Sequence, residues 1–164
     1  MKNLFLLRHA KSSWDNAALV DFDRPLSKRG ISNAILLSKY IQKNSISFDL
    51  VLSSPSERTQ STLDLLLSSF DPIPTTTFKE SIYHASASSL SQLIKEQDDE
   101  VNNLLIIGHN PGLHILTETL TNESIVKLPT CTFVKITNFN QWKDLDAGIL
   151  NLELLITPKE LKHD

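Results

Sequence analysis

The chain has 164 residues, the length of one domain, and a single domain over 1–164 is expected. Hydrophobic residues make up 40% of it, which excludes a disordered chain and suffices for one real core. With 16 basic and 19 acidic side chains the net charge is −3, so no nucleic-acid partner is expected unless the cations cluster.

The first apolar run is Leu4–Leu7, four residues ended by Arg8. It is too short for a signal-peptide core or a membrane span, and reads as a buried strand. Ser27 is a plausible N-cap for a helix carrying Ile31, Ala34, Ile35, Leu37 and Ile41. Leu50–Leu52 is a second strand. Ser54-Pro55-Ser56 then opens a helix with Thr59, Leu63, Leu66 and Leu67. A weaker strand is predicted at Thr75–Phe78, after Pro72 and Pro74, and Ser89 opens a third helix with Leu90, Leu93 and Ile94. Leu104–Ile107 is a further buried strand. Asn110-Pro111 suits the N-cap and first turn of a fourth helix, with Leu113, Leu116 and Leu120. Phe133–Ile136 reads as another strand of the buried parallel type, and Ile149–Ile156 as a last one with partial alternation. Strands alternating with helices predict an α/β fold on a mainly parallel sheet. One cysteine, Cys131, excludes an intrachain disulfide and any multi-cysteine zinc site. It reads as a packing residue, and a reducing, cytoplasmic setting is expected.

In open α/β sheets ligands bind beyond the carboxyl ends of the strands. Strand one runs into Arg8-His9-Ala10-Lys11. Strand two runs into a helix whose first turn carries Arg58. Leu104–Ile107 runs into Gly108-His109-Asn110-Pro111. Two histidines and two arginines therefore converge on one sheet edge. Guanidinium forks match phosphoryl oxygens, helix-opening amides add anion-binding dipoles, and a neutral imidazole can act as a covalent nucleophile. A second imidazole, charged by the phosphate itself, would stabilise the equatorial oxygens, so neither metal nor cofactor is required. Taken singly, each residue has an ordinary structural explanation; their joint placement carries the reading.

Leu6-Leu7-Arg8-His9-Ala10-Lys11-Ser12, Ser53–Thr62 with Arg58, and Gly108-His109-Asn110-Pro111-Gly112 resemble the three motifs of the histidine phosphatase superfamily. Lys11-Ser12-Ser13-Trp14, Asp21–Gly30, Leu128-Pro129-Thr130 and Leu155–Leu161 resemble its small SixA-type phosphohistidine phosphatases, in order over nearly the whole chain. The resemblance implies a three-layer α/β/α sandwich without a metal. It implies His9 as nucleophile, Arg8 and Arg58 as phosphoryl ligands, and His109 as stabiliser of the transferring group. Arg24 would add a phosphate or substrate contact. Glu80, after the weak third strand, is the candidate general acid. Two positions depart from the wider pattern: Ala10 replaces a glycine, and Asp15 stands where the mutase branch has a phosphate-binding asparagine. A carboxylate there argues against a mutase.

No phosphate-binding Gly-rich loop, dinucleotide fingerprint or His-Glu-x-x-His zinc motif occurs. His84, beside Tyr83, reads as a loop histidine within reach of the pocket mouth. The expected partner is a phosphohistidine-bearing signalling or phosphotransfer protein, or a small phosphorylated substrate; no membrane contact is expected. The rival readings are a phosphatase of small phosphomonoesters and a phosphate-recognising module without turnover.

Overall fold

The computed structural model describes residues 1–146 and 148–162. Six strands form one sheet: β1 (Asn3–Arg8), β2 (Leu50–Ser53), β3 (Thr75–Phe78), β4 (Asn103–Gly108), β5 (Phe133–Thr137) and β6 (Asn151–Ile156). Their order is β3-β2-β4-β1-β5-β6. β3, β2, β4 and β1 are mutually parallel; β5 and β6 run antiparallel to their neighbours. Five helices complete the described chain: α1 (Lys28–Lys43), α2 (Glu57–Leu67), α3 (Ala87–Lys95), α4 (Gly112–Thr121) and the short α5 (Pro158–Leu161).

Side chains of successive strand residues point to opposite faces, so each buried strand feeds two cores. Leu4, Leu6, Leu104 and Ile106 face one side and pack with Leu90 and Ile94 of α3 and Leu113, Leu116 and Leu120 of α4. Phe5, Leu7, Leu105 and Ile107 face the other and pack with Ala34, Leu37 and Ile41 of α1 and Leu63 and Leu66 of α2. That is why the strands read as continuous apolar runs, and it produces the expected three layers.

Several local expectations change. Phe133–Ile136 is a buried strand but antiparallel, not parallel, to β1. After α4 the segment 122–132 climbs back to the carboxyl edge of the parallel strands, where Arg8 N–H donates to the Thr132 carbonyl. A strand that starts there can only run downward. α3 begins earlier than expected: Ser86 is the N-cap, accepting from Ser89 N–H. Asn110 does not cap α4. The helix starts at Gly112, and the Asn110 amide donates instead to the Leu128 carbonyl at 2.9 Å. Ser27 caps α1 as predicted, accepting from Gly30 N–H.

Candidate active site

Sheet register builds the site. Arg8 pairs with Gly108 across β1 and β4, so the next residues, His9 and His109, leave the sheet side by side. Their ring centroids lie 5.1 Å apart. β2 ends in register beside β4, Ser53 opposite Ile107, which sets Ser54 next to His109. Arg58 follows in the first turn of α2 and points back over both imidazoles. Arg8, His9, Arg24, Arg58, His109, Lys11 and Asn110 all line one cleft of about 240 Å³.

The two histidines and three arginines are each fixed by hydrogen bonds within the protein. His9 Nδ1 lies 2.7 Å from the Ala10 carbonyl, which can only accept. The proton therefore sits on Nδ1, and Nε2 turns its lone pair into the cleft, where Arg58 Nε donates to it at 3.3 Å. Burial first, and then the cations of Arg58, Arg8 and Arg24, push the His9 pKa down to about 4 against the opposing Ala10 carbonyl. His9 is thus a neutral imidazole at neutral pH. His109 Nε2 lies 2.8 Å from Ser54 Oγ, and its Nδ1 lies 3.4 Å from the donor Arg58 Nη2. Burial, together with His9 and Arg58, lowers its pKa to about 3. An incoming dianion would reverse that balance and make His109 a donor.

Arg8 Nη1 donates to the Leu128 carbonyl at 2.9 Å, the same oxygen that holds Asn110. Its buried Nε has no protein partner. A fixed guanidinium with an unused buried donor is prepared for an oxyanion. Burial and the neighbouring Arg58 lower the Arg8 pKa, without threatening its charge.

Arg24 is 7% exposed and anchored three ways: Nε to the Ser13 carbonyl, Nη2 to Ser12 Oγ at 2.7 Å and Nη1 to Asp21 Oδ1 at 3.2 Å. Its guanidinium stacks on Trp14, 3.1 Å from the ring centroid.

Glu80 does not join this group. It is exposed and is not one of the residues that line the cleft. It opens the turn Glu80–Ile82, whose buried residue is Ile82; seating Ile82 in the core turns Glu80 outward and sends Tyr83 to the site. The carboxylate that does reach the arginines is Asp21, which the sequence did not single out. Tyr83 Oη donates to its Oδ2 at 2.6 Å, Arg58 Nη2 at 3.0 Å, and Arg58 Nη1 to its backbone carbonyl at 2.7 Å. The Tyr83 hydrogen bond, then the Arg58 and Arg24 guanidinium groups, hold the Asp21 carboxyl down at about 2. Its only signal was its place in the stretch Asp21–Gly30. His84, read as a loop histidine near the mouth, lines the cleft with a left-handed φ of 57° and lies 3.7 Å from Asp21. Asp15 is exposed and lies outside the lining. Cys131 is fully buried, and burial pushes its thiol up to about 12. No group of metal-ligating side chains occurs among the described residues.

The sequence model of the histidine phosphatase superfamily (branch 1) matches residues 4–105, well over half of the chain. The chain belongs to the histidine phosphatase superfamily. Membership supports a phosphatase activity. A relative of this superfamily member, an uncharacterized chloroplastic protein of Arabidopsis thaliana, is 32% identical over 171 aligned positions, 96% of this chain and 78% of that one. Among solved structures, a protein from Agrobacterium tumefaciens assigned as the phosphohistidine phosphatase SixA superposes with a TM-score of 0.83 at 24% identity, covering 96% of this chain and 98% of that one. The α-ribazole phosphatase of Shigella flexneri superposes with a TM-score of 0.70 at 20% identity, covering 95% and 96%. At these identities the superpositions establish a shared fold. No helix among the described residues is long and apolar enough to cross a membrane.

Proposed function

We propose that this histidine phosphatase superfamily member hydrolyses phosphohistidine borne on a signalling or phosphotransfer protein, through a phosphorylated His9 and without a metal. His9 Nε2, free of its proton, attacks phosphorus in line while the bond to the leaving nitrogen breaks. The phosphoryl group displaces the Arg58 Nε contact. Arg8, Arg58 and a protonated His109 then hold the equatorial oxygens, with Arg24 at the edge of the cleft. Water attacks phospho-His9, releasing phosphate and restoring the neutral imidazole.

One observation carries the choice of substrate. The carboxylate beside the phosphoryl site, Asp21, is held at about 2 and cannot deliver a proton at neutral pH. Glu80 is turned away. An alkoxide leaving group needs that proton in the transition state; an imidazole already protonated on its distal nitrogen leaves neutral without it. A site whose one adjoining carboxylate is held ionised suits a phosphoramidate better than an ester. The likeness to the SixA fold supports the same reading, and a cytoplasmic place in phosphotransfer signalling fits it.

The test is phosphate release from a phosphohistidine-bearing phosphotransfer protein, with para-nitrophenyl phosphate alongside, for wild type and His9→Ala. Release from phosphohistidine that vanishes in the variant is expected. Release from the ester alone discards the substrate and keeps the mechanism. Activity retained by His9→Ala overturns the nucleophile. Phosphate binding without release from either substrate would make the chain a recognition module.

A further inference from the structure

A second depression, larger than the catalytic cleft, opens beside it. It holds about 560 Å³ and is lined by Arg29 and Asn33 of α1, Lys127, Thr157, and Lys159 and Lys162 at the C-terminal end. Val126, Pro129 and Pro158 supply apolar wall. Thr130 lines both cavities, so the two lie on either side of one wall.

Its charge is one-sided. Arg29, Lys127, Lys159 and Lys162 are all exposed, and none has an ion-pair partner among the described residues. None of the described residues lining it carries a carboxylate. The nearest acidic residue in sequence, Glu160, is turned to its own helix: its Oε1 accepts from Thr157 N–H and Oγ. Four cations grouped this way, without ion-pair partners among the described residues, stand out in a chain of net charge −3. They form the local cluster without which a mildly acidic chain has little attraction for an anionic partner.

Exposed Val126, at 98%, adds an apolar edge that water does not favour.

We propose that this groove docks an acidic segment of the phosphorylated protein substrate, next to the residue being dephosphorylated. The inference rests on the protein-phosphohistidine reading above. A peptide supplies both features at once: carboxylates for the four cations and side-chain methylenes for Val126 and the prolines. A nucleic-acid backbone offers phosphates to the cations but no aliphatic side chains for the apolar wall of Val126, Pro129 and Pro158. Charges of this kind act on encounter and on KM, while the chemistry at His9 proceeds unaltered.

The test compares wild type with Lys127→Glu/Lys159→Glu, two exposed side chains that do not line the phosphoryl cleft. Three readouts are needed: binding of a fluorescein-labelled twelve-residue Glu/Asp peptide, turnover of a phosphohistidine phosphotransfer domain, and turnover of para-nitrophenyl phosphate. The expected result is peptide binding weakened about tenfold in the variant, and weakened in wild type by raising salt from about 50 to 300 mM. KM for the phosphoprotein should rise by a similar factor with kcat unchanged, and the small ester should be hydrolysed equally by both. Equal peptide binding by both proteins, or none by either, overturns the groove. Charge-dependent peptide binding by an enzyme inactive on the phosphoprotein overturns the substrate reading and upholds the groove. Stronger competition by a single-stranded oligonucleotide than by unlabelled peptide overturns the choice of partner.

Discussion

Lowering the pH from 7.5 to 5 should cost this fold more than carboxylate chemistry alone predicts, because two histidines are buried neutral. His9 is held at about 4 and His109 at about 3, against 6.5 for a free side chain. Both folded values lie below the unfolded one, so the fold favours the uncharged imidazoles. Their contribution is complete above pH 6.5 and drains away as pH falls toward 4. At pH 5 the unfolded chain takes up a proton on each, and the folded chain takes up almost none. One pKa unit is worth 1.36 kcal/mol, and the interval from 6.5 to 5 is 1.5 units, so each histidine costs about 2 kcal/mol and the pair about 4 kcal/mol. That is a large share of the ~5–15 kcal/mol that holds a domain together. Urea unfolding at the two pH values measures it directly. The control is His9→Asn/His109→Asn, which removes both titrating groups; the single variants should each recover about half. Wild type should lose about 4 kcal/mol more than the double variant over the interval. Parallel losses in the two proteins would refute the claim that the nucleophile is held neutral by its surroundings.

Other expectations follow from individual contacts. Asp21→Asn should be less stable than wild type by about 1 kcal/mol at pH 7 in thermal melts, since the pair is partly open to solvent. That gap should close as pH falls from about 4 toward 2, where the wild-type carboxyl itself takes a proton. The same variant should raise KM for a small phosphoester, because Arg58 loses the carboxylate that orients it. Gly112→Ala would place a Cβ 2.2 Å from the Ala85 carbonyl oxygen, backbone against backbone. Urea titration should show a loss of about 1–3 kcal/mol, and activity should fall because Tyr83 and His84 sit on the displaced turn. Glu80→Gln, changing an exposed side chain, should leave kcat within about twofold on either substrate class; a loss of a hundredfold or more would restore it as the general acid.

The meeting of Arg8, His9, Arg58 and His109 in one cleft was legible because β1, β2 and β4 are short apolar runs with punctuated ends. A register fixed by the backbone then does the rest: once Leu4–Leu7 lies beside Leu104–Ile107, His9 and His109 must be neighbours. Helix starts were less legible where a polar residue had a better tertiary use. Asn110 suits an N-cap, yet Leu128 O offers it a partner in a buried place. The direction of β5 was not written in its own residues, since Phe133–Ile136 is buried on both faces whichever way it runs. Asp21 and Tyr83 escaped because nothing local marks them. Their roles exist only after the chain brings positions far apart in sequence to one guanidinium. Glu80 illustrates the converse: it lies at a strand end, as a site residue should, and the burial of Ile82 two residues later sets its direction instead.

The left-handed residue Cys131, with φ 62°, donates its N–H to the carbonyls of both Arg8 and His9, while Leu128 of the same segment grips the Arg8 side chain. Arg8 and His9 are therefore stitched to a central strand and to a buried return segment, with no hinged cover among these contacts. Such a site has little low-energy motion of its own to lose. Amide exchange at Cys131 should be as slow as at the core of β1, and loss of turnover in denaturant should follow the global transition instead of preceding it. A cleft built this way is as rigid as the sheet that carries it, and under the proposed function a phosphorylated side chain on an already folded partner would be presented to that fixed face.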